Sequence, residues 1–155
     1  FNALWIFAWH YQMLPLSLIC MLGLLASLIY IGIKLQPSSL SITKASFGIY
    51  LGWVCIATIA NVTALLVSYK WGGWALSDQT WAIIMITAGA IITLLATVRF
   101  SNPFVGIAVI WAFLGIVIKQ KGVHPAIVTA AIIGIVAVGV VTILSFMRVK
   151  GIARG

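Results

Sequence analysis

Leu16-Ser-Leu-Ile-Cys20-Met-Leu-Gly-Leu-Leu-Ala-Ser-Leu-Ile-Tyr30-Ile-Gly-Ile-Lys34-Leu35 carries a single charge, Lys34, close to its end. An α-helix rises about 1.5 Å per residue, so a run of this length covers about 30 Å, the hydrocarbon thickness of a bilayer. The apolar residues are continuous and do not alternate with polar ones, which excludes a strand of a membrane barrel. The stretch therefore predicts a transmembrane helix, and it sets the solvent for the rest of the chain.

Working outward, the same pattern recurs. Phe1 to Tyr11 is apolar and aromatic but too short to span, and is expected to be the second half of a helix. Gln12 and Pro15 mark a tight turn before Leu16. Gln36, Pro37, Ser38 and Ser39 end that span, and Ala45 to Tyr69 forms the next. The segment from Lys70 to Asp78 is a loop with interfacial tryptophans, in which Ser77 or Asp78 can cap the helix from Gln79 to Val98. Arg99, Ser101, Asn102 and Pro103 turn the chain into a shorter span, Phe104 to Ile118. Lys119 to His124 turns it again, and Pro125 suits the first position of the last span, which ends near Met147. The predicted fold class is an all-α integral membrane protein: five full spans and one truncated first helix, in a single domain.

Composition agrees. Of 155 residues, 64% are hydrophobic and 6% charged, against about 25% charged in a soluble domain. The net charge of +8 does not indicate a nucleic-acid partner. The cations sit at span ends, where they meet lipid headgroups, and form no basic face. Lys34, Lys44, Arg99, Arg148, Lys150 and Arg154 fall on one side, and Lys70, Lys119 and Lys121 on the other. The positive-inside rule then puts the C-terminus in the cytoplasm, and a bacterial inner membrane is the expected location. With Asp78 the sole acid, there is no pair of carboxylates for acid–base catalysis. No phosphate-binding loop, nucleophile elbow or HExxH is present, so the chain is read as a non-enzyme. Cys20 and Cys55 lie in apolar runs and behave as small hydrophobes. His10 and His124 stand at span ends on separate segments, as solvated interface groups or as single axial ligands to a tetrapyrrole metal.

Two constellations suggest a site. Asn2, Trp5 and Trp9 fall on adjoining faces of one helix, as an aromatic wall of a pocket or as an interfacial belt. Tyr50, Trp53, Ala57 and Asn61 share one face of another, and Thr58 and Asn61 could instead bond between helices. Gly48 with Gly52, and Ala126, Ala130 and Gly134, have the four-residue spacing that lets helices approach closely.

The run Tyr50-Leu-Gly-Trp53-Val-Cys-Ile-Ala57-Thr58-Ile-Ala-Asn61 resembles the last-helix signature of the translocator protein family, also called tryptophan-rich sensory proteins or TspO. Asn2-Ala-Leu-Trp5 resembles the Asn and Trp of its third helix, and Leu16 to Leu35 is placed like its fourth. Residues 1–70 carry the resemblance. It implies a five-helix membrane fold that binds porphyrins, sterols and drug-like ligands between its helices. It also implies that Trp5, Tyr50, Trp53, Ala57 and Asn61 line or support the pocket. The family's first two helices are missing here, and residues 79–147 add three. The expected function is a receptor or carrier for a porphyrin-like or sterol-like ligand. The alternative is an accessory subunit among partner membrane subunits, one that could hold a tetrapyrrole pigment of the porphyrin or chlorophyll type.

Overall fold

The computed structural model describes residues 1–35, 42–72 and 76–152, all helix and turn. Six helices follow in order: α1 (Asn2–His10), α2 (Leu14–Lys34), α3 (Ile42–Ser68), α4 (Asp78–Arg99), α5 (Phe104–Gln120) and α6 (Pro125–Ile152). The expected breaks at 36–39 and the tail beyond residue 152 lie outside the described residues. Among the described residues, four helices are long and apolar enough to cross a membrane: α2, α3, α4 and, over Pro125–Val149, α6. The fifth expected span, α5, has 17 residues and reaches only about 25 Å. Between 28% and 33% of each crossing window is buried inside the protein. Most of its apolar surface faces outward, which lipid accommodates and water does not. The protein is a helical membrane protein.

The turns are built locally. Gln12, at φ 56°, reverses the chain after α1, with the Met13 N–H donating to the Ala8 carbonyl at 2.8 Å. Pro15 then sits in the first turn of α2, where its missing N–H is not needed. Ser77 caps α4, its Oγ accepting from the Thr80 N–H at 3.2 Å. Lys70, Ser101 and Gly122 supply the left-handed residues of the remaining described turns.

Helix α3 lies centrally, packed on α2, α4 and α5. Two apolar clusters hold the bundle. Met21, Leu24 and Leu28 of α2 meet Leu51, Val54 and Cys55 of α3, together with Phe100 and Val105. Ile86 and Ala90 of α4 meet Val109 and Phe113 of α5 and Ile127, Ala131 and Val138 of α6. The α3–α5 crossing is close because α3 offers glycine there. A Cβ on Gly52 would collide with the backbone carbonyl of Val105, and one on Gly48 would lie 2.5 Å from the Asn102 amide. That amide donates to the Lys44 carbonyl at 2.9 Å, fixing the α4–α5 turn to the start of α3. Lys44, expected among lipid headgroups, is instead 2% exposed. Gly134 lies against Phe113, whereas Ala126 is exposed.

Candidate functional site

Sequence places two indoles on α1, Trp5 and Trp9, and one on α3, Trp53, and the fold brings them together. Trp5 and Trp53 meet edge to face, centroids 5.7 Å apart at 84°. Trp9 stacks on Trp5 at 6.2 Å, and Tyr50 stacks on Trp53 at 6.3 Å and 22°. The rings of Trp5 and Trp53 touch, so no ligand fits between them. The space lies beside them, in a groove of about 680 Å³ lined by Asn2, Trp5 and Ile6 of α1, by Ser46, Ile49, Tyr50 and Trp53 of α3, and by Ile107, Ala108 and Trp111 of α5. Trp53 is 43% exposed and Trp111 78%, so the groove opens sideways out of the bundle.

Four of the seven predicted site residues, Asn2, Trp5, Tyr50 and Trp53, line this groove. The other three stand outside its lining in different ways. Trp9 backs Trp5. Ala57 packs on the α2–α3 cluster. Asn61 is buried and organises the junction beneath: its Oδ1 accepts from the Ser17 hydroxyl at 2.6 Å and from the Trp5 indole N–H at 3.4 Å. Its Nδ2 donates to the Ala57 carbonyl at 2.9 Å. One amide thus ties α1 and α2 to α3 and aims the Trp5 ring.

Sequence reasoning missed the α5 wall and Ser17. A lone serine in an apolar run carries no periodic signal, and Trp111 stands on a helix that the quoted motifs do not reach. One buried polar atom of a groove-lining residue is unsatisfied: the Tyr50 hydroxyl has no hydrogen-bond partner among the described residues. In a low-dielectric setting such a group costs about 1–3 kcal/mol; the oxygen itself is buried and not open to the groove. Among the described residues no group of three or more His, Cys, Asp and Glu stands together to hold a metal ion. His10 and His124 are both exposed, and neither lines the groove.

An apolar groove walled by aromatic rings, set in helices that cross a bilayer, defines a membrane-embedded binding protein. The model of the TSPO-like protein family matches residues 1–144, and the chain belongs to that family. The match runs through α4 and α5 and most of α6, well past the first 70 residues on which the quoted motifs lie. No curated protein and no solved structure matches the chain.

Proposed function

We propose that this chain is a non-enzymatic receptor or carrier that takes a flat, largely apolar ligand of porphyrin-like or sterol-like shape into the α1–α3–α5 groove. One observation carries the reading: Trp5, Tyr50 and Trp53 form a continuous aromatic wall on a space of about 680 Å³, within the usual range for small-molecule sites, about 300–1,000 Å³. Stacking on an indole adds about 0.5–1.5 kcal/mol beyond burial. The Tyr50 ring would extend the stacking surface, and Trp111 would cover the far side. Asn61, Ala57 and Trp9 act behind the wall by holding its rings in place. The chain works as a single domain of residues 1–155, because α5 packs on α3 as well as on α4 and α6. Its membrane is a bacterial inner membrane, with the cation-rich ends of α2, α4 and α6 on the cytoplasmic side.

Protoporphyrin titrated into the purified protein in neutral detergent tests the ligand. Saturable quenching of tryptophan fluorescence, weakened severalfold by Trp53→Phe and by Tyr50→Ala, is the expected result. Saturable quenching unchanged by the loss of both Trp5 and Trp53 would place the site elsewhere.

A further inference from the structure

The α1–α3–α5 groove combines three features that together describe one kind of ligand. Among the described residues that line it, none is Lys, Arg, His, Asp or Glu. Lys44, two residues before Ser46, is buried and stands outside the lining. Each of the three helices contributes one indole: Trp5, Trp53 and Trp111. Asn2 and Ser46, both exposed, add an amide and a hydroxyl to the lining. Ser46 lies about 10 Å from Trp53 along α3, so polar and aromatic groups are spread along the groove and not gathered at one point. Its flank is open: Trp53 is 43% exposed, Ile107 42% and Trp111 78%.

Resting on the reading of this groove as the binding site, we infer that its occupant is an uncharged, carbonyl-bearing unsaturated ring with an apolar tail, the chemistry of a membrane quinone. Charge decides first. A carboxylate carried into an apolar cleft loses its hydration, and this lining offers no cation to pair with it. Flat rings with acid side chains are therefore disfavoured. Ring type decides second. Indole is electron-rich and stacks in an offset manner on flat π-systems. A quinone ring is flat and electron-poor, whereas a saturated ring system presents no π face. The polar groups decide third. A neutral carbonyl accepts and does not donate, and the Asn2 amide and the Ser46 hydroxyl both donate. Such bonds are electrostatically stronger where the dielectric is low. The open flank then lets a tail longer than the groove leave sideways and rest in the lipid.

The test is equilibrium dialysis of the full chain in neutral maltoside micelles against labelled decylbenzoquinone, decylbenzene and protoporphyrin. The quinone is expected to bind saturably and about threefold to tenfold more weakly to Asn2→Leu and to Trp111→Leu. Decylbenzene, which has the tail and a ring but no carbonyl, should bind more weakly than the quinone and should not respond to Asn2→Leu. Gly115→Ala, whose added Cβ meets nothing within 4 Å, should leave quinone binding unchanged. Decylbenzene binding as tightly as the quinone, or Asn2→Leu and Ser46→Ala both binding the quinone like the parent chain, overturns the inference. Protoporphyrin binding that is weakened by Trp53→Phe would then leave the groove standing as the site with a different occupant. If neither the quinone nor protoporphyrin responds to Trp53→Phe, the inference and the reading beneath it fail together.

Discussion

Replacing Asn61 by Leu keeps the volume of the side chain and removes its polar ends. Three hydrogen bonds go with it: the one from Ser17 at 2.6 Å, the one from the Trp5 indole at 3.4 Å and the one to the Ala57 carbonyl at 2.9 Å. The last lies within α3, so only the first two join helices. Bonds between membrane helices average about 0.6 kcal/mol and reach about 1.7. The Ser17 contact is short and buried, which puts it near the upper value. The Trp5 contact is near the limit of useful geometry and contributes less. Asn61→Leu should therefore lower stability by about 1–2 kcal/mol, with no cavity term. Reversible unfolding in mixed dodecylmaltoside and dodecyl sulfate, followed by circular dichroism, measures the loss. A double-mutant cycle with Ser17→Ala isolates the bond, and a coupling of about 0.6–1.7 kcal/mol is expected. If the two single losses simply add, to within about 0.3 kcal/mol, Asn61 does not join α2 to α3 and the account of the junction fails.

Three further outcomes follow from features of the same bundle. Gly52→Ala forces α3 away from the Val105 carbonyl and should cost about 1–3 kcal/mol, while Gly115→Ala, in open space, should be neutral or slightly stabilising in the same unfolding assay. Ser101 holds φ 47°, a conformation costing a non-glycine residue about 1 kcal/mol, so Ser101→Gly should raise the midpoint. Cys20 and Cys55 are buried, so a cysteine at Lys121 should react with membrane-impermeant maleimide in intact cells and one at Gly155 should not; the reverse pattern would invert the orientation.

The helices were legible because lipid admits little else: continuous apolar runs, Pro15, Ser77 and Pro125 mark the elements that the structure shows. Their ends were less so. Helix α3 already includes Ile42, three residues before Ala45, and α6 includes Ile152, past Met147. Hydropathy reports the length a helix buries in lipid, whereas its backbone hydrogen bonds continue through the polar residues beyond. In the site, Trp5 and Trp53 stood out by residue type and spacing. Ser17 and Asn102 did not, since their partners lie 44 and 58 positions away and no local pattern encodes a contact of that range. The burial of Lys44 was illegible for a related reason: a cation at a span end reads as interfacial until another turn is seen to fold over it.

Helix α3 has 27 residues and α5 has 17, so two elements of about 40 Å and 25 Å share one crossing. In a bilayer about 30 Å thick the first is too long and the second too short. A helix that is too long can relieve such mismatch by leaning, and one that is too short by drawing the lipid surface inward. Gly52 holds the pair together within one turn of Tyr50 and Trp53, so any change of lean about that point moves the aromatic wall least and the far ends of α3 most. Thinner or thicker membranes should therefore be accommodated at the ends of α3, while the aromatic groove beside the glycine contact keeps its shape.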